Sequence, residues 1–204
     1  MLRVGVLVSG AGTNLQALLD ACAEPTFPAR IVLVGCNRVH APAIARADSA
    51  GVRVCLVDRA VIPKRRVRQA KLIEALQASD VGLVVLAGFD EILIPDFVGA
   101  FSGRIVNTHP SLLPAFGGTM HAVAEALKHG VKVTGCTIHL VTDQLDGGPI
   151  LLQDTVEVRD DDDVGSLQAR IRAQEHRLLP AAVRAFAEGR VRIEGCRARV
   201  LASP

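Results

Sequence analysis

Leu2–Val8 and Val81–Ala87 are almost unbroken aliphatic runs. A strand with apolar residues at consecutive positions has no polar face, so it must be covered on both sides. Between these runs the pattern predicts a helix to about Ala23, a strand at Arg30–Val34, a helix around Ala41–Ala50, a strand at Val52–Val57 and a charged helix over Lys64–Gln77. A further strand is expected at Arg104–Asn107. Strands alternating with helices point to a doubly wound, mostly parallel, Rossmann-like α/β sheet. Farther on, helix Ala122–His129 precedes two strands, Val133–Val141 and Ile150–Val158, joined by a short polar loop. This pair predicts an antiparallel C-terminal extension. The acidic run Asp160–Asp163 then opens a long helix, where negative charge is favoured.

The 204 residues suit one medium domain, and half of them are apolar. Trp and Tyr are absent, so aliphatic residues and six Phe must fill the core. A net charge of +2 is too balanced to signal nucleic acid, and no run is long enough for a membrane helix. Five scattered cysteines, Cys22, Cys36, Cys55, Cys136 and Cys196, never form C-x-x-C and read as reduced, packed thiols.

Three stretches carry possible chemistry, and each also has a plain structural reading. After the first strand, Ser9-Gly10-Ala11-Gly12-Thr13-Asn14 leads into a helix, which aims unpaired amides and the helix dipole at one place. The dinucleotide fingerprint is incomplete, because Leu15 stands at its third glycine and no acid follows Ile31–Gly35. A phosphate monoester fits better than NAD; an ordinary strand-to-helix turn is the plain alternative. In Arg104–Pro114, Asn107 and His109 are two apart and point the same way if both are extended. An amide donor and an imidazole there suit an oxyanion and a proton transfer; otherwise they are a polar strand end. In Asp143–Pro149, glycines leave Asp146 uncrowded, although acids in such turns often cap their own backbone. Lys64, Arg65, Arg66, Arg68 and Lys71 form a basic helix that is either a solvated face or an anion contact. Arg172, Glu175 and His176 share one face of the long helix, where a surface ion pair is the plain expectation.

Ser9–Gln16, Leu86-Ala-Gly-Phe89, Asn107–Pro114 and Asp143–Pro149 occur together in an order and spacing that resemble the phosphoribosylglycinamide formyltransferases of purine biosynthesis. The likeness runs from Val4 to about Gly189. It implies the formyltransferase fold in a single domain, 1–204. Within it, 1–102 would be the phosphate-binding half, 103–189 the catalytic and folate-binding half, and 190–204 a peripheral tail. It also implies transfer of a formyl group from 10-formyltetrahydrofolate, as co-substrate, to the amine of 5'-phosphoribosylglycinamide, with no metal. Asn107, His109 and Asp146 would be catalytic, with Asp146 holding His109 and stabilising its charged form. Gly12, Thr13, Asn14, Arg172 and Glu175 would bind the ribonucleotide. Arg65, the segment Asp90, Glu91, Ile92 and Leu93, and Asn107 would bind the folate. The partners implied are small molecules, without nucleic acid or membrane, for a cytoplasmic monomer or homodimer.

Two departures stand out. The family usually has Met-Arg-Ile-Leu after Gly-Phe, where this chain has Asp90-Glu91-Ile92-Leu93. The loop Ala115–His121 lacks the common Lys or Pro and is about one residue longer than expected. Competing readings are a formyltetrahydrofolate deformylase, with water replacing the amine, and a non-catalytic Rossmann-type module for a phosphosugar or nucleotide.

Overall fold

The computed structural model describes residues 1–202; Ser203 and Pro204, the last residues of the expected tail, lie outside them. The hydrogen-bonded order of the main sheet is β3-β2-β1-β4-β5-β6-β7. Its strands are β1 (Leu2–Val8), β2 (Ala29–Cys36), β3 (Val54–Leu56), β4 (Leu83–Leu86), β5 (Ile105–His109), β6 (Val133–Leu140) and β7 (Ile150–Glu157). The pairs β1–β2, β1–β4 and β2–β3 are parallel, and β6–β7 is antiparallel. The doubly wound sheet and its antiparallel extension are therefore as the apolar runs predict.

The chain divides into two compact units, Met1–Val106 and Asn107–Pro204. In the first, α1 (Thr13–Ala23), α2 (Pro42–Ser49), α3 (Arg65–Ala78) and α4 (Pro95–Ala100) accompany β1–β4. Val4, Val6, Leu7 and Val8 are fully buried, as is all of β4 apart from a trace of Leu86. Each such Leu or Val contributes roughly 1.5–3 kcal/mol relative to exposure, and no polar alternation is needed for a strand covered on both faces. The six-residue α4 has no counterpart in the sequence reading. It starts at Pro95, whose fixed φ suits a first helical turn, and buries only Phe97 and Val98.

In the second unit, α5 (Ala122–His129) and α6 (Val164–Ala187) pack on each other, and α6 covers β6 and β7. Asp163 caps α6 through a reciprocal bond with Ser166, so the acidic run does serve as the helix start. β7 buries only Leu151 and Val156 and alternates less and more exposed residues over 152–157, as suits the outer strand of the order. The tail folds into an antiparallel pair, β8 (Val191–Glu194) and β9 (Arg197–Val200), with β9 beside β7.

Candidate active site

Strand β5 runs two residues beyond the expected end, so Asn107, Thr108 and His109 are all extended. Alternation then puts the Asn107 and His109 side chains on one side and Thr108 on the other. Thr108 donates its hydroxyl to Glu175 on α6 at 2.9 Å. Glu175 is buried and accepts this hydroxyl.

Asp146 sits between two imidazoles. Its Oδ2 lies 3.4 Å from His109 Nδ1 and its Oδ1 3.6 Å from His139 Nε2. The Asp146 backbone has φ +50, a left-handed conformation in which Asp is among the better tolerated side chains. Gly148 explains why glycine follows: a Cβ there would lie 1.9 Å from the Leu140 carbonyl oxygen. Only a bare backbone lets the loop cross the end of β6 that closely.

The sequence reading missed His139. It lies inside an otherwise apolar strand and is 2% exposed. The β6–β7 register shifts between Ile138 and His139, and such irregularities re-aim side chains near functional sites. Nδ1 of His139 is 2.9 Å from the Leu140 carbonyl and Nε2 is 3.1 Å from Asn107 Nδ2. A neutral ring with its proton on Nδ1 satisfies both: it donates to the carbonyl and accepts from the Asn107 amide. Burial pushes the His139 ring below its ordinary value, against the raising effects of the Leu140 carbonyl and the Asp146 carboxylate. His139 is therefore a neutral acceptor that sets which way Asn107 faces.

A folded-state value below the unfolded one, about 6.5 for histidine, means stability is fully present above that pH and lost as pH falls through the depressed value. The stability gap between the wild type and His139→Gln should thus narrow on acidification below pH ~6.5. Denaturant unfolding at several pH values measures this, and a gap independent of pH would refute it.

His109 has oxygen acceptors at both ring nitrogens, Asp146 on one side and the Phe116 carbonyl at 2.8 Å from Nε2 on the other. A doubly protonated ring donates at both ends. The loop over Ala115–His121 also gives its Gly118 N–H to Asp146 Oδ2 at 2.8 Å, so it is tied to both groups. On another side of Asp146, a cavity of about 550 Å³ is lined by Leu113, Pro114, Gln144 and the hairpin residues Cys196–Arg199. The hairpin assigned to a peripheral tail thus reaches the Asp146 loop.

In the first unit, α1 begins after Gly12, whose φ is +72. A Cβ on Gly12 would come within 2.6 Å of the Ala43 side chain, so the loop can press against α2 only with glycine there. The first turn of α1 has no acidic residue, which leaves its dipole and N–H groups, those of Thr13 and Asn14 among them, suited to an anion. Arg65 and Arg172 are exposed and have no ion pair among the described residues. Asp90 and Glu91 point their carboxylates at arginines of the same unit: Asp90 meets Arg38 and Arg59, and Glu91 meets Arg68. Ile92 is exposed and Leu93 half-buried.

The family model described as formyl transferase matches residues 2–183. The chain belongs to the formyl transferase family. It is 49% identical over 193 residues to a phosphoribosylglycinamide formyltransferase of Mycobacterium tuberculosis, covering 95% of this chain and 88% of that one. It is 39% identical over 191 residues to the bovine trifunctional purine biosynthetic protein adenosine-3, covering 94% of this chain but only 19% of that longer protein. Among solved structures, glycinamide ribonucleotide transformylase 1 from Symbiobacterium toebii superposes with a TM-score of 0.95 at 50% identity, covering 99% of this chain and 95% of that one. These likenesses favour neither the deformylase nor the non-catalytic binding module. No helix among the described residues is long and apolar enough to cross a membrane.

Proposed function

We propose that this formyl transferase moves the formyl group of 10-formyltetrahydrofolate onto the amine of 5'-phosphoribosylglycinamide. The observation that carries the reading is the meeting of Asn107, His109, His139 and Asp146 within hydrogen-bonding or ion-pair reach of one another. The substrate amine attacks the formyl carbon, a C–N bond forms, and the carbonyl oxygen becomes an oxyanion. Asn107 donates one N–H to that oxygen while His139 holds the amide in place. His109 in its charged form donates as well, once the Phe116 carbonyl yields Nε2, and Asp146 balances its charge. The intermediate collapses by breaking the bond to folate N10, which takes up the proton that the attacking amine has lost. Each step needs only donors and one mobile proton.

For the ribonucleotide, the amides of Gly12, Thr13 and Asn14 suit a phosphate, and Arg172 supplies a second positive group. Glu175 is the candidate acceptor for ribose hydroxyls. For the folate, Arg65 suits the glutamate carboxylates, and the backbone of Asp90–Leu93, with Asn107, suits the ring system. These assignments rest on the matching motifs together with the exposed guanidiniums and the acid-free helix start.

A ligand that binds only the folded state at a hundred times its Kd stabilises by about 2.7 kcal/mol, or roughly 5–10 °C for a chain of this size. Both the ribonucleotide and a tetrahydrofolate analogue should raise the melting temperature by that order, and NAD should not. Stabilisation by NAD alone would overturn the reading. A transfer assay with both substrates, run beside one with water as the acceptor, completes the test.

A further inference from the structure

The first unit holds a charged network that the reaction does not use, centred on Asp90 and Glu91. Asp90 accepts from Arg38, from Arg59 at 2.5 Å and from Asn37 at 2.9 Å. Glu91 accepts from Asn37 at 3.0 Å and from Arg68, whose Nη2 lies 2.8 Å away. The side chains of Arg68 and Glu91 are 8% and 7% exposed, and Asn37, which bridges the two carboxylates, is fully buried. Arg68 also donates to the Ile62 and Pro63 carbonyls, which leaves Glu91 as its only anionic partner among the described residues. Beside it, the fully buried Gln69 donates to the Ile92 carbonyl at 3.0 Å and accepts from Ile94 N–H at 2.8 Å. The Asp90 N–H is held by Ser9 Oγ, and the Gly88 carbonyl by Ser9 N–H.

The segment from Gly88 to Ile94 is thus pinned by Ser9 after β1, Asn37 after β2, Arg59 after β3, and Arg68 and Gln69 on α3. Its anchors are mostly side chains, and they leave part of the segment's own backbone unused. Among the described residues, the N–H groups of Ile92 and Leu93 and the carbonyls of Glu91 and Leu93 make no hydrogen bond. A flat heterocycle with donors and acceptors along one edge is the class of ligand that such a strip of backbone can read.

We propose that Asp90 and Glu91 are positioning residues, whose ion pairs with Arg38, Arg59 and Arg68 hold the backbone of Asp90–Leu93 in the form that takes the folate ring. The inference rests on the proposed function and deepens it. The two acids complete the arginine set, so replacing them with an apolar residue and a cation should do harm. A cation at position 91 would face the buried Arg68 guanidinium with no anion between them, and the loop would have to move away. Misplacement of about 1 Å is enough to cost a hundredfold in a positioned reaction.

The test measures steady-state constants for both substrates, with thermal melting as the control for folding. Glu91→Gln should raise the KM for 10-formyltetrahydrofolate about tenfold, and the double variant D90M/E91R about a hundredfold. The ribonucleotide KM should stay within about twofold of wild type, since the Asn107 and His109 cluster is untouched. Glu91→Asp keeps the charge facing Arg68 and should retain most of the folate affinity that Glu91→Gln loses, which a mere packing role does not predict. Asp90→Asn, at the more exposed end of the network, serves if D90M/E91R does not fold, with a rise of a few-fold expected. Wild-type folate KM in Glu91→Gln and Asp90→Asn, or equal rises for both substrates, overturns the inference while the reaction stands. A wild-type chain that transfers no formyl group overturns both.

Discussion

Replacing Asn107 by Ala should lower kcat by about 10²–10³-fold, the usual effect of removing one oxyanion donor, while the protein stays folded. The change keeps Cβ and the backbone of β5, and removes the 3.1 Å side-chain bond to His139. Losing one such bond costs about 0.5–1.5 kcal/mol, more if the remaining partner stays buried and unsatisfied, against a typical stability of 5–15 kcal/mol. His139 Nε2 would lose its donor, so a small drop in melting temperature is expected and does not account for the rate. Single-turnover kinetics at saturating substrates, with a melting curve on the same sample, separate the two. A rate within a few-fold of wild type would remove Asn107 from the chemistry and, with it, most of the mechanism.

Asp146→Asn should lower kcat by about 10²-fold, at the lower end for loss of proton-transfer assistance, and should change the pH dependence. Asn is the informative replacement because it accepts the left-handed backbone at φ +50 and can still take the Gly118 N–H. The loop therefore keeps its shape, and only the negative charge facing His109 and His139 is lost. Without that charge the protonated form of His139 is disfavoured further, so the acidic limb set by charging that ring should move to lower pH. For His139, the deletion removes one of the two influences that oppose burial, and its ring stays neutral over a still wider range. An unchanged profile, even with a reduced rate, would show that Asp146 acts by shape alone.

Much of this was legible because some of the relevant physics is local. Two residues apart on a strand means one side, so Asn107 and His109 could be paired from their spacing once β5 was recognised. Glycine at 12 and 148 is required by close approach to Ala43 and Leu140, and the sequence showed the glycines but not what they approach. Asp146 was singled out for its glycine neighbours and its family match; nothing local says that it faces imidazoles. His139 carried no signal, since a histidine in an apolar strand reads as a satisfied core residue. The short helix α4 was missed because six residues give too little periodicity to register. The β8–β9 pair was passed over because its polar, exposed residues resemble a loose tail.

Aliphatic runs and their spacing were enough to determine a doubly wound sheet with an antiparallel end, since burying those runs has few solutions. What only the tertiary structure decided is which polar groups meet. Asn107 and His139 are 32 positions apart, and their contact depends on strand order and on the register shift beside His139. The charges of Asp90 and Glu91 likewise gain their meaning from arginines delivered by three separate segments. Hydrophobic periodicity is written along the chain, whereas a hydrogen bond or an ion pair exists only where folding brings two distant positions within about 3 Å.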